Sequence, residues 1–566
     1  MTVPATREHN FTDEQLIVPT PLSISYDADL APAVRWWVGV SQQAFGLETA
    51  TESEVTLVVR HPASAMPASG YRLAITDTAI TVEANDLAGA FAAMQTLRQL
   101  AGPGAFRHAR LPKAQLVLPI GTLEDAPGCA WRGVHLDVVR HFMPPRDVRR
   151  FIDLAAMHHL NVLHLHLTDD QGWRFATDRY PELTATGGYR RGTTRSYDDA
   201  ETDRTPHGGF YTKDDLREIV AFAHERGVTV VPEIEVPGHV QAALAAYPWL
   251  GTSKQPRRVR VTWGISEDVL DPGPNQVAFF CDVLDEVCEV FDSPFIHIGG
   301  DEVPLTAWQG NIAIEARAAA LGLLDEAGNP DVSRLHGWFL AQLVKHLRFH
   351  RRRAVVWDEA CGADLPTDAV AMSWRGLRPA ARALHLGYDV VLAPEQYLYL
   401  DHRASDRSDE PAAYGYVHTT QDVYAFDHSL LSQIPGGLDY ELLEGGMDQL
   451  TAPRSARDKG VVLGMQAQLW CEYLDDARRV DYAAYPRLAA FSEAAWGAAP
   501  ERRGPGTPAS SEFMRRLADA HLPRLTAAGV EFRPLNGPLP WQMRPEVKTY
   551  GVADLGADIE AAGGLL

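Results

Sequence analysis

Long apolar runs are missing from this sequence. No stretch of its 566 residues could span a bilayer, and its start, MTVPATREHNFTDEQ, has no basic segment leading into an apolar one. Disulfide and zinc patterns are missing too. The five cysteines (Cys129, Cys281, Cys288, Cys361, Cys471) are scattered, odd in number and without CxxC or Cys/His spacing, so buried thiols are expected. These absences together predict a cytoplasmic protein. Positive charge is in deficit: 52 Lys and Arg against 74 Asp and Glu leave a formal net charge of −22. Nucleic acid and anionic membranes would be repelled, and neither is expected as a partner. Internal repeats and low-complexity tracts are also lacking, and nothing in the sequence fixes an oligomeric state.

Tryptophan, by contrast, is plentiful. There are thirteen, in a chain that is 46% apolar and 22% charged, the balance of a globular protein with aromatic surface to spare for core or ligand. Residues 1–124 read as a small α+β domain. Strands are expected at 54–59 and 71–82, and Asp86 caps a helical stretch, LAGAFAAMQTLRQL. Residues 101–128, rich in Gly and Pro, read as a link. From Trp131 the pattern becomes strand, helix, strand, repeated. WRGVHLDVV, NVLHLHL, VTVVPEIEV, FIHIG, AVVW, AVAMSW, DVVLA and VVLGMQAQLW supply eight strands. That count predicts an α/β protein with a (β/α)₈ barrel over 125–500, whose functional groups gather at the strand C-terminal ends. Residues 501–566 read as a helix and coil extension packed on the barrel. A loop within 168–211 is too long for a mere connector, and 403–459 is an insertion before the last strand.

The stretch FIHIGGDEVP organises the rest. A buried strand stops at two glycines and then presents Asp301 and Glu302. Glycine permits backbone conformations that other residues resist and lets a ligand approach closely. A lone acid pair would ordinarily be a solvated helix cap. Here other strand ends carry comparable groups. Asp169, Asp170 and Trp173 follow the second strand, Glu233, Glu235 and His239 the third, Trp357 with Asp358 and Glu359 the fifth, and Trp374 the sixth. Tyr399 and Asp401 follow the seventh, Trp470 and Glu472 the eighth, and Arg132 stands at the beginning of the first. Taken singly, the tryptophans could be core and the acids ion-pair partners. Together, carboxylates, an arginine and stacking aromatics on one barrel face suggest a neutral polyhydroxylated ligand, a sugar.

WRGVHLDVVRHF, HLHLTDDQGWR, VPEIEVPGH, HIGGDEV and LWCEYL, within a match that keeps the family's order over roughly residues 70–500, resemble the family 20 glycoside hydrolases, the β-N-acetylhexosaminidases. The resemblance implies removal of terminal β-linked GlcNAc or GalNAc without a metal or other cofactor. It also implies substrate assistance, in which the 2-acetamido oxygen attacks C1 and forms an oxazolinium ion. Glu302 would be the general acid and then the base, and Asp301 would orient the acetamido group. Tyr399 would bond the acetamido oxygen with Asp401 nearby, while Trp357, Trp374 and Trp470 wall the pocket. Arg132 and Glu472 would hold the sugar hydroxyls, with Asp169 and His239 behind Glu302. Glu235 departs from the family's usual Asp in PEIDxPGH. The 187–209 loop and the 403–459 insertion also diverge.

Two other readings fit some of these residues. His164 and His166, with His239 and Asp301, could ligate the metal of a barrel hydrolase, although alternate residues of one strand could equally both face a packed interior. A sugar-binding protein without turnover is the other, since a fold alone does not imply activity.

Overall fold

The computed structural model describes residues 1–196, 201–434, 440–451, 459–497, 504 and 506–547. The expected barrel is present and closed. Its eight parallel strands are β1 (Trp131–Asp137), β2 (Val162–His166), β3 (Thr229–Glu233), β4 (Phe295–His297), β5 (Arg353–Trp357), β6 (Val370–Ser373), β7 (Asp389–Leu392) and β8 (Val462–Ala467). Neighbours pair in chain order, with β8 closing onto β1. Every residue of β1, β2 and β8 is buried, because sheet residues here face either the barrel interior or the helix ring.

The register brings polar residues to one level. Asp137 pairs with His166, His166 with Glu233, and Glu233 with His297, so four adjacent strands end on the same layer. All four are buried at 0–1% exposure. An interior layer of that kind survives only if each member finds a hydrogen-bond or ion-pair partner.

The first 125 residues build a seven-stranded sheet. Its strand order is Glu8–Ile17, Val117–Asp125, Tyr71–Ile75, Ala79–Ala84, Thr56–Arg60, Leu22–Tyr26, Thr49–Ala50. Helix Leu87–Leu100 lies on this sheet and helix Ala31–Phe45 packs beside it. Asp86 caps the former, accepting from Gly89 N at 2.9 Å. Two details differ from the sequence reading. Residues 71–82 form a hairpin rather than one strand, and the stretch expected to be a link contains the strand Val117–Asp125, paired on both edges. Pro119 and Gly121 interrupt its alternation, and long-range pairing supplies what local pattern does not. Near the C-terminus, Arg516 donates to Thr2 O (2.6 Å) and Glu493 Oε1 (2.7 Å), and Arg524 donates to Gln99 O (2.9 Å). Among the described residues no helix is long and apolar enough to cross a membrane.

β4 has the tightest exit. Gly299 and Gly300 take φ of 66° and 103°, and a Cβ on Gly299 would sit 1.9 Å from Glu235 Oε1. Gly299→Ala therefore combines left-handed strain of about 1–2 kcal/mol with a collision inside a closed core. Its melting temperature is expected to fall well below the parent's, as differential scanning calorimetry would read.

Candidate active site

A chain of buried charges runs from the barrel interior to its mouth. Glu233, the last residue of β3, receives Trp357 Nε1–H at 2.8 Å and lies 2.9 Å from His297 Nδ1 and 3.2 Å from His164 Nε2. It also meets His166 Nδ1. The other His166 nitrogen bonds Asp169 Oδ2 at 3.1 Å. Asp169 Oδ1 lies 3.3 Å from His239 Nδ1, and His239 Nε2 lies 3.3 Å from Glu302 Oε2. Burial opposes charge along this path, but the alternation of signs prevails. Glu233 and Asp169 are held well below the usual carboxylate range. The flanking carboxylates push His166 up to about 10 and His239 well up.

Above this floor stand Asp301 and Glu302. The Asp301 side chain is 12% exposed, that of Glu302 27%. Burial, with Glu302 and Glu233 close by, raises Asp301 to about 6 despite His239. Glu302 holds a left-handed φ of 48° and His239 one of 49°, strain concentrated where two side chains must be aimed. Glu235 accepts from Gly300 N at 2.9 Å, its longer side chain occupying the space that a Cβ on Gly299 would need. Aromatic walls surround the pair. Trp374 donates to both Glu359 oxygens at 3.0 Å, its ring 6.3 Å from that of Tyr399, and Trp470 sits 4.3 Å from His135 and 6.1 Å from Trp357. Asp301 Oδ1 and both Asp401 oxygens are buried without a well-formed hydrogen bond. Such acceptors call for donors from a ligand.

One expected residue lies elsewhere. Arg132 starts β1, at the opposite end of the barrel. There it donates to His159 O (2.9 Å), Cys129 O (2.6 Å) and Gly445 O (2.9 Å) and covers Trp496 at 5.1 Å. The guanidinium at the mouth belongs to Arg140, three residues past the end of β1. Asp137 Oδ1 turns the chain there by accepting from Val139 N (2.7 Å) and Arg140 N (3.0 Å). Arg140 then reaches Asp169 (2.7 Å), Asp137 (3.1 Å) and Glu472 (3.6 Å) and lies 4.9 Å over Trp470. The signal was legible: Arg140 follows the strand, Arg132 lies near its N-terminal end, and barrel sites form at strand C-terminal ends. Glu395 was also missed. Burial and the nearby Glu302 raise it to about 8, and, three residues past the end of β7, it falls under the same strand-end rule as Arg140. The remaining expected residues, Asp169, His239, Trp357, Trp374, Tyr399, Asp401, Trp470 and Glu472, do gather at the mouth or in its floor. His164 and His166 are interior groups at 0–1% exposure, bonded to Gln466 (3.0 Å) and along the Glu233 chain.

Residues 129–499 match the profile described as glycosyl hydrolase family 20, catalytic domain, and residues 1–126 match that family's domain 2. The chain belongs to glycosyl hydrolase family 20. It is 36% identical over 479 residues to a β-hexosaminidase of Porphyromonas gingivalis, covering 84% of this chain and 55% of that protein. It is 35% identical to a β-hexosaminidase of Vibrio furnissii, covering 75% and 64%. The chain thus spans less than two thirds of either relative. Its fold is similar to the family 20 exo-β-N-acetylglucosaminidase of Vibrio harveyi solved with N-acetylglucosamine, at TM-score 0.75 and 27% identity over 94% of this chain and 78% of the other. The family 20 β-N-acetylhexosaminidase of Streptomyces coelicolor gives TM-score 0.75 and 26% identity over 97% and 98%. Family membership disfavours the metal-hydrolase reading of His164 and His166.

Against this family 20 scaffold, the 187–209 loop touches the site. Arg190 donates to Arg140 O (2.6 Å) and Gln171 O (3.3 Å). A cavity of about 380 Å³ beside Glu472 is lined by Thr193, Asp203, Tyr473 and Arg544 among others. Parts of that loop, of the 403–459 insertion and of the 501–566 extension lie outside the described residues.

The charge chain carries a pH signature. His166 is raised from its ordinary 6.5 to about 10, so its contribution to stability is complete below pH 6.5 and drains away as pH rises towards 10. Melting temperature recorded across pH 6.5 to 10 should fall in the parent, and a His166→Asn variant, less stable throughout, should show a shallower fall, the remainder coming from His239.

Proposed function

We propose that this chain is an exo-acting, retaining β-N-acetylhexosaminidase that removes terminal β-linked GlcNAc or GalNAc from oligosaccharides or glycoconjugates by substrate-assisted catalysis. The unequal placement of two adjacent carboxylates carries the reading. Asp301 is deep, in contact with Glu235 and with one oxygen lacking a well-formed hydrogen bond, and Glu302 stands at the mouth against His239. A conventional retaining glycosidase needs its carboxylates opposed across the sugar, about 5 Å apart. Neighbours on one strand exit face the same side of a ligand, so the nucleophile is best supplied by the substrate's own acetamido oxygen.

In this mechanism the acetamido N–H donates to Asp301 Oδ1, and the carboxylate balances positive charge as the oxygen closes on C1. Tyr399 holds the acetamido oxygen in attack geometry. Trp357, Trp374 and Trp470 exclude water and shape the pocket. Glu302 delivers its proton to the leaving oxygen, then takes one from the water that opens the oxazolinium ion, restoring the β configuration. His239 and Asp169 position Glu302 from behind. Arg140, in place of Arg132, closes the pocket with Glu472 and Asp401 by bonding the hydroxyls of the terminal sugar, which restricts cleavage to chain ends. The β-hexosaminidases named above and the N-acetylglucosamine bound in the V. harveyi enzyme support this substrate class. The five cysteines form no disulfide, which supports a reducing, cytoplasmic setting and small saccharides as substrates.

The deciding experiment is hydrolysis of an aryl β-N-acetylglucosaminide with and without a thiazoline that mimics the oxazolinium ion. Turnover is expected, and the thiazoline should block it competitively; turnover indifferent to the thiazoline would indicate a carboxylate nucleophile instead. Glu302→Gln should lose most activity on poor leaving groups and less on activated aryl ones, whereas Asp301→Asn should lose kcat on both. Because Asp301 acts as a carboxylate and is raised to about 6, kcat/KM of the parent should decline as pH falls through about 6. Arg140→Lys keeps a charge but loses the planar fork. It should lower kcat/KM roughly 10- to 100-fold, the scale of one or two charged hydrogen bonds. Arg132→Lys should lower the melting temperature and leave kcat/KM near the parent's.

A further inference from the structure

Away from the barrel mouth, a second set of ligand atoms converges between two outer helices. Helix Pro274–Val290 packs against helix Arg334–Phe349. Asp285 comes from the first. His346 belongs to the second and His350 caps it, four residues on and therefore on the same face. His346 Nε2 lies 2.8 Å from Asp285 Oδ1, and His350 Nε2 lies 2.8 Å from the same oxygen. The two rings are 5.0 Å apart. Both residues stand near the end of helices that lead back to the start of a barrel strand, so the cluster sits opposite the mouth.

Two helix-borne imidazoles four residues apart, completed by a carboxylate from a neighbouring element, form a donor set that zinc accepts. The three ligand atoms lie within 4.8 Å of one another. Metal bonds of about 2.0–2.1 Å would require each histidine nitrogen to move only about half an ångström from Asp285 Oδ1, relative to its present hydrogen-bonded spacing. The side chains of Asp285, His346 and His350 are 28%, 23% and 28% exposed, which leaves an entry path and room for water at the remaining coordination positions. The surrounding charges leave Asp285 Oδ1 available. Asp285 Oδ2 faces Arg179 at 3.4 Å, and Arg179 also pairs with Asp282. Although burial opposes it, the two histidine contacts hold the Asp285 carboxyl below its ordinary value.

We propose that Asp285, His346 and His350 form a surface site for a borderline transition-metal dication, joining the two outer helices at the barrel end opposite the sugar pocket. Binding would take each imidazole in the tautomer protonated on Nδ1, in place of the Nε2–H that now points at Asp285, any second proton passing to solvent, and leave the catalytic groups untouched. The site is independent of the glycosidase reading.

Zn²⁺ titrated calorimetrically into the chelator-treated full chain is the test. The parent should take up one equivalent at this site, and His346→Ala should bind it at least about tenfold more weakly, the cost that even an outer-sphere partner of a metal commonly carries. His350→Gln, which can still hydrogen-bond Asp285 and so guards against a folding artefact, should show the same loss. Co²⁺ should produce visible ligand-field absorption in the parent that both variants lack. Zn²⁺ isotherms of parent and variants that coincide, or a parent that takes up no stoichiometric Zn²⁺, would overturn the proposal.

Discussion

The alternation of buried charge from Glu233 through His166, Asp169 and His239 to Glu302 is the constraint on which the site depends. Each member would be costly alone in a barrel interior, where an unpaired ion cannot be accommodated. In sequence they compensate one another, and the compensation holds only if strands β2, β3 and β4 keep their register. A slip of one residue would turn His166 or Glu233 toward the helix ring and strand the rest. The polar layer that Asp137, His166, Glu233 and His297 form thus specifies the barrel and the site at once.

The same constraint explains the strain at the rim. Glu302 and His239 adopt left-handed backbones, a conformation non-glycine residues avoid. The surrounding core over-determines it. Gly299 and Gly300 supply the turn that brings Glu302 over His239, and the missing Cβ of Gly299 makes room for the Glu235 carboxyl. The longer acid in place of the family's usual Asp is therefore accommodated by backbone proximity, with Gly300 N held by its oxygen. Asp301 is raised by burial and by the nearby Glu302 and Glu233, against the pull of His239 and of its contact with Glu235. A carboxylate kept at that edge responds strongly to positive charge developing beside it.

Much of this could be read from residues in order. Eight apolar runs with helical spacers define a parallel barrel because each strand is buried on both faces and reads as a continuous run. Asp301, Glu302, Tyr399, Asp401, Trp470 and Glu472 could be placed because they directly follow such runs. The strand Val117–Asp125 could not, since Pro119 and Gly121 break its pattern and its stability comes from partners at residues 8–17 and 71–75. The Asp285, His346 and His350 cluster was equally invisible, because sixty residues separate its halves and ordinary helix faces carry them.

The sequence alone determined the family, the strand count and the types of residue offered at the mouth, because strand periodicity and the HIGGDEV, DDQGWR and VPEIEVPGH motifs are local properties. Tertiary structure decided what Arg132 and Arg140 each meet. Arg132 is the second residue of β1 and Arg140 lies three residues past its end, so the closed barrel carries them to opposite ends. The first ends among backbone carbonyls beside Trp496, and the second among Asp137, Asp169 and Glu472. Tertiary structure also decided the charge states of the floor, since His166 and Glu233 acquire their ionisation from groups sixty-seven residues apart that meet only when the strands pair.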